Sequence, residues 1–163
     1  MKAYFCNLQH LHSNFQEKYH NKREYAEVYA DEISGRYGDV INMWQPDVIM
    51  PVPIHVSKLK SRGYNQAGLI AESLSKKLDI EYNEHSLIRT RATSPMKYLN
   101  DIQRTKNLQK AFKIADNVII YNKVLIVDDI YTTGTTIDAC AECLKREGVK
   151  EVYAVTLCVG RGF

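Results

Sequence analysis

Two carboxylates side by side mark the first chemistry in this chain. Residues Val124 to Thr136 read VLIVDDIYTTGTT: an apolar run, then Asp128 and Asp129, then small residues around a single glycine. Adjacent carboxylates repel each other and call for a cation or a polyhydroxy partner. The loop after them opens a stretch of helical period. Its backbone N–H groups and threonine hydroxyls therefore converge where a helix dipole is positive, a setting that holds phosphate. Thr132, Thr133, Gly134, Thr135 and Thr136 are the expected phosphate contacts, with Gly134 letting the chain come close to the anion. Carboxylates beside such a cradle do not hold the phosphate, but they accept hydrogen bonds from vicinal hydroxyls or orient a hydrated Mg²⁺. A sugar phosphate with a free diol satisfies both halves. The plainer alternative has Asp129 capping a turn and the threonines bonding their own backbone. It accounts for one acid and not for the pair with the loop. A Walker A loop is excluded because no Lys follows the glycine, and G-x-G-x-x-G because the loop has one glycine only.

Those residues need elements to position them. Ala26, Tyr29, Ala30, Ile33 and Tyr37 recur at steps of three and four, which predicts a helix from about Glu17 to Asp39. DVIMPVP, Asp47 to Pro53, reads as a buried strand closed by prolines, and a basic loop, HVSKLKSRG, follows it. Asn65 is the expected N-cap of a second helix, whose face is Ala67, Ile70, Ala71, Leu74 and Leu78. A short strand is expected near His85 to Thr90, and Lys110 to Ile114 alternates like another. The polar stretch between them, Arg91 to Gln103, is the best candidate for a flexible loop. Asn117 to Lys123 reads as a turn. Val124 to Asp128 is the next strand, Thr135 to Glu147 a helix ended by Gly148, and Glu151 to Val159 the last strand. For the two carboxylates to share one ligand, their strand has to end beneath them, because successive strand residues point to opposite faces. Strand and helix alternate, so the fold class is α/β with a mostly parallel sheet flanked by helices. In such folds ligands collect beyond the carboxyl ends of the strands, where both distinctive loops lie.

Composition narrows the partners. The chain has 163 residues, 45% of them hydrophobic, enough for one domain with its own core. Its four cysteines are too few and too unevenly placed for a disulfide scaffold, and no apolar run reads as a signal peptide or membrane span. A cytoplasmic setting is expected. The net charge of +3 is mild and its cations are scattered, which points to an anionic small molecule before a nucleic-acid groove. The eleven tyrosines show no interleaving with basic residues that would make a single-strand platform. Cys140-x-x-Cys143 falls inside a helix, so core packing is expected rather than redox chemistry. Cys6, His10, His12 and His20 match no paired zinc spacing.

VLIVDDIYTTGTT resembles the phosphoribosyl pyrophosphate (PRPP) signature of type I phosphoribosyltransferases, with Tyr131 where many members carry an aliphatic residue. The resemblance continues through PVPIHVSKLKSRGYNQA, Pro51 to Ala67, and through Arg104, Asn107, Ala111 and Phe112. Those segments are similar to the ComF branch of competence-associated proteins, and the likeness covers Asp47 to Val159. It implies a type I phosphoribosyltransferase fold with a flexible lid loop. It also implies PRPP and Mg²⁺ as ligands, and transfer of phosphoribose to an acceptor with release of pyrophosphate. Asp128 and Asp129 take the catalytic place at the ribose diol, and residues 132 to 136 the 5'-phosphate. The pyrophosphate loop falls on Pro53, Ile54 and His55, with Lys58 and Arg62 as cationic contacts. Arg91 to Arg104 becomes the lid, with Lys97 and Arg104 reaching the pyrophosphate on closure, and no residue is expected to bind the metal directly.

Several alternatives stay open. Lys58, Lys60 and Arg62 also fit a solvated loop. His55 fits either a base for the acceptor or a histidine bonded to backbone. No feature names the acceptor, for which a nucleobase is one candidate. The expected organisation is one domain over 1–163, with 1–45 as a helical hood segment and 46–163 as the PRPP-binding core. ComF proteins commonly carry a four-cysteine zinc module ahead of this domain, and only Cys6 is available here, so its absence is expected. A homodimer is the prior for a small α/β enzyme. The ComF likeness also raises a non-catalytic alternative, a PRPP-binding regulatory module tied to DNA-uptake machinery.

Overall fold

Strand and helix periods sort the apolar side chains onto the two faces of one sheet. The computed structural model of the chain describes residues 2–5, 22–91, 111–131 and 133–159. Strands β1 (Lys2–Phe5), β2 (Val48–Pro51), β3 (Glu81–Tyr82), β6 (Lys123–Tyr131) and β7 (Glu151–Val159) form a parallel sheet in the order β1-β7-β6-β2-β3. Strands β4 (Leu87–Arg89) and β5 (Phe112–Ile114) pair antiparallel as a separate ribbon. Four helices complete the described fold: α1 (Lys22–Trp44), α2 (Val56–Arg62), α3 (Gln66–Leu78) and α4 (Thr135–Arg146).

Alternation along β6 divides the core. Leu125 and Val127 face α1 and α3, where they meet Ile33, Ile41, Ile70 and Leu74. Val124 and Ile126 face α4 and the ribbon, where they meet Leu87, Phe112, Ile137 and Leu144. Each such aliphatic side chain contributes about 1.5–3 kcal/mol when fully buried. The predicted α1 face is buried at Ala26, Tyr29, Ala30 and Ile33, and the same stripe runs past Asp39 to Ile41 and Trp44. Trp44 stacks on Tyr153 of β7 with ring centroids 4.5 Å apart. The packing of this last turn and the turn at Gln45 (φ 52) before Pro46 explain why the helix ends at Trp44 rather than Asp39.

Several local expectations change. The basic loop after Pro53 contains the short helix α2, capped by His55, whose Nδ1 accepts from the Ser57 N–H at 3.2 Å. It is ended by Gly63 at φ 80, whose N–H donates to the Leu59 carbonyl at 2.7 Å. Asn65 stands at the N-cap of α3 but makes no side-chain cap bond; its Nδ2 donates to the Val52 carbonyl at 3.0 Å. The strand carrying the aspartates does not stop beneath them. It runs on to Tyr131 because β7 supplies a partner as far as Val159. β1 and β3 add to the expected strands: they are short edge strands with no long apolar run of their own.

Candidate active site

The cleft arises from a mismatch in strand length. β2 accompanies β6 only as far as the pair Pro51 and Val127, and the last bond between them runs from the Val52 N–H to the Val127 carbonyl at 2.8 Å. From Asp128 onward β6 is paired on the β7 side alone. The chain after β2 turns away through Pro53 and Ile54 into α2 and leaves a cleft of about 160 Å³. Pro53, Ile54, Lys58 and Arg62 line one side of it, and Asp128, Asp129 and Thr136 another. Both carboxylates therefore reach one space although their strand continues.

The two acids are not equivalent. Asp128 is 8% exposed, while Asp129 is half-buried at the mouth. The Asp129 N–H donates to Asp128 Oδ1 at 2.9 Å. Burial raises the Asp128 carboxyl to about 8, reinforced by the like charge of Asp129; the Asp129 N–H and the Arg89 guanidinium pull it back. Asp128 is thus poised to change charge near neutral pH, where a cationic or hydroxyl-bearing ligand favours its ionised form.

Arg89 completes the cleft, and sequence reasoning missed it. Its guanidinium sits 5.5 Å from the centre of the Phe112 ring, across the ribbon. Burial lowers its pKa and Asp128 works against that, so arginine is the cation that keeps its charge there. The available signal was an arginine on the outgoing end of a short strand, directly before the polar stretch. Asn65 and Gln66 also line the cleft. Arg62 is held by its own surroundings: Nη2 donates to Gln66 Oε1 at 2.6 Å and the guanidinium lies 4.8 Å over the Tyr64 ring.

The threonine loop leads into α4, as expected. Gly134 takes φ 76 at the N-cap, the Thr133 and Thr135 hydroxyls bond each other at 2.9 Å, and the Asp138 N–H closes the first turn onto the Gly134 carbonyl at 2.9 Å. Thr136 reaches the cleft, while Thr133, Gly134 and Thr135 lie beside it rather than in its lining. His55 is likewise outside the lining and engaged with Ser57. Thr132, Lys97 and Arg104 lie outside the described residues, as does all of the expected lid except Arg91. The same holds for Cys6, His10, His12 and His20. Cys140 and Cys143 are buried free thiols in α4, both raised by burial, as core residues should be.

A parallel sheet with paired acids and a glycine loop at one strand end, facing a basic turn at the next, is the arrangement of a phosphoribosyl transferase domain. Residues 17–162 match the family model of that description, and the chain belongs to that family. Within it the relatives are of the ComF branch. The chain is 37% identical over 109 residues to Competence protein F of Haemophilus influenzae, covering 66% of this chain and 48% of that protein. It is 34% identical over 113 residues to DNA utilization protein YhgH of Escherichia coli K12, covering 69% and 49%. The chain spans about half the length of the curated relatives it matches. The fold is that of type I phosphoribosyltransferases. A Staphylococcus aureus hypoxanthine phosphoribosyltransferase superposes with a TM-score of 0.51 at 19% identity, over 85% of this chain and 65% of that one. A Trypanosoma cruzi hypoxanthine phosphoribosyl transferase gives 0.53 at 16%, over 85% and 67%. Among the described residues no helix is long and apolar enough to cross a membrane.

Proposed function

We propose that the chain binds PRPP and transfers its phosphoribosyl group to an acceptor, releasing pyrophosphate. One observation carries this reading: Asp128 and Asp129 share a cleft with Lys58, Arg62 and Thr136, so hydroxyl acceptors, cations and a helix-opening loop face one small ligand. In this reading residues 132–136 hold the 5'-phosphate through backbone N–H groups and hydroxyls. Asp128 and Asp129 accept hydrogen bonds from the ribose hydroxyls. Lys58 and Arg62, with Arg89, face the pyrophosphate, and Lys97 and Arg104 join them from the lid. As the anomeric bond breaks, positive charge grows on the ribose ring, and the carboxylates stabilise it while the cations hold the departing pyrophosphate.

Mg²⁺ bound to the pyrophosphate supplies further charge neutralisation. Among the described residues no group of three or more His, Cys, Asp or Glu side chains is placed to hold a metal. Asp128 and Asp129, which line the cleft, would meet an ion carried by the ligand through water. Of the expected hood segment, Lys22–Trp44 is the core helix α1 and lines no part of the cleft; a nucleobase is the first acceptor class to test. The chain acts as one domain in the cytoplasm, where phosphorylated sugars are retained, and a homodimer is its proposed assembly.

A second reading has its own support in the names of the relatives, a competence protein and a DNA utilization protein. The chain would then sense PRPP for DNA-uptake machinery without turning it over. Calorimetry with PRPP and Mg²⁺ tests the ligand, and absence of heat at millimolar PRPP would sink both readings. Pyrophosphate release with a panel of nucleobases separates them: turnover establishes the transferase, while binding with every acceptor inert favours the module.

A further inference from the structure

Thr156 stands beside Asp128 in the sheet. β6 and β7 run parallel, and these two residues are register partners. Partners across such a pair are about 4.8 Å apart in the sheet, with side chains on the same face. That face is the α4 side: Val124 and Ile126 on β6 and Val152 and Ala154 on β7 all belong to the core beneath α4. Thr156 is 0% exposed, and its Oγ1 has no hydrogen-bond partner among the described residues.

A buried hydroxyl without a partner is destabilising, and a valine of the same shape would fill the place without that cost. What lies beside it gives the hydroxyl a use. Asp128 Oδ1 receives the Asp129 N–H, and the carboxyl also shares a side-chain hydrogen bond with Asp129 that needs a proton between them; once both acids are ionised, the other Asp128 oxygen is open to a second donor. The charged and titratable groups acting on Asp128 are Asp129 from its own strand and Arg89 from the ribbon, with Cys140 of α4 beside it. None of them is a hydroxyl. A threonine hydroxyl moves between staggered positions by rotation about one bond, and its bond to an ionised carboxylate is charge-assisted.

We propose that Thr156 is a positioning residue for Asp128: when a phosphoribosyl ligand enters the cleft, its hydroxyl donates to the second Asp128 oxygen and fixes the carboxylate toward the ribose. This rests on the PRPP reading above. Thr156 touches no ligand itself. It acts from beneath the cleft floor, through Asp128.

Calorimetry of the intact chain with PRPP and Mg²⁺ tests this on wild type, Thr156→Val and Thr156→Ser. Thr156→Val is expected to weaken PRPP about tenfold, the size of a hydrogen bond to a charged group. Thr156→Ser, which keeps the hydroxyl, is expected to stay within about twofold of wild type. Thr156→Val should melt at or above the wild-type temperature, since it removes an unpaired hydroxyl, and in an Asp128→Ala background, which has no side-chain partner for the hydroxyl, it should add no further loss. The proposal is overturned if Thr156→Val binds like wild type, or if serine and valine weaken binding equally. A loss that persists in the Asp128→Ala background, or a valine variant that melts well below wild type, overturns it too. Wild type that binds no PRPP defeats the site reading and the positioning role together. Wild type that binds while Thr156→Val is unchanged defeats the positioning role alone.

Discussion

The Tyr131 hydroxyl lies 2.6 Å from the point where a Cβ on Gly134 would stand. The tyrosine ring, carried by the last residue of β6, closes over the glycine at the entry to α4, and Gly134 is at φ 76. A side chain there would push the tyrosine ring aside and strain the backbone at this positive φ. Gly134→Ala is expected to cost about 1–3 kcal/mol in chemical denaturation, from left-handed strain together with the clash. Adding Tyr131→Ala should return the clash portion and leave the dihedral portion, so the two substitutions should couple in a double-mutant cycle.

Stability should fall as pH rises through the range where Asp128 ionises. Its folded-state value, about 8, lies above the ordinary value of 3.8 that the unfolded chain approaches. The folded chain therefore holds this proton more tightly than the unfolded chain between those limits. The contribution is fully present below about pH 4 and lost as pH rises through about 8. Asp128→Asn should flatten the slope of melting temperature against pH in this window and stabilise the chain most at its upper end. A wild-type stability that climbs steadily from about pH 5 to 8, with Asp128→Asn climbing in parallel, would contradict the assignment.

Arg89→Met should be sensitive to pH in the same way and more strongly. Removing the guanidinium leaves the Asp128 charge less compensated, so the variant loses about 1–3 kcal/mol at about pH 9 and much less at about pH 5, where Asp128 is neutral. Denaturant titrations at the two pH values read the difference directly.

Asn65→Leu removes the donor to the Val52 carbonyl, which ties the outgoing end of β2 to the start of α3. The expected loss is about 1–2 kcal/mol, because the carbonyl is left without its side-chain partner. Lys58 and Arg62 ride on the same turn, so weaker binding of inorganic pyrophosphate should accompany it. Unchanged pyrophosphate affinity alongside the stability loss would separate the turn from the ligand.

Cys140 and Cys143 are buried, with their thiols raised by burial, so both should resist a thiol reagent in the native chain and react on unfolding. Rapid native labelling of either, mapped by peptide mass, would show that α4 opens locally.

Much of the fold was legible in the residues because it is written in local periods. The stripe from Ala26 to Ile33, the face from Ala67 to Leu74 and the run from Val152 to Leu157 each have one way to bury their apolar side, and the structure buries them so. The paired acids and the glycine loop were legible for a similar reason: neighbours in sequence at the end of an apolar strand must share its end in space. The type I likeness followed from VLIVDDIYTTGTT, and the ComF likeness from Pro51 to Ala67 together with Arg104, Asn107, Ala111 and Phe112.

What the sequence by itself determined, then, is which of the longer periodic segments are strands and helices and which residue types gather at the strand ends; the short helix α2 and the edge strands β1 and β3 were not among them. Tertiary structure decided which side chains meet there. Arg89 reaches Asp128 from a ribbon far along the chain, and Thr156 comes level with it only through the register of β6 and β7. His55, suited by type to the cleft, is turned to cap α2 instead. The strand passes beyond the aspartates because β7 pairs it to the end, while β2 stops short and opens the cleft. Pairing register and relative strand length arise between distant segments, and no local pattern of one segment encodes them.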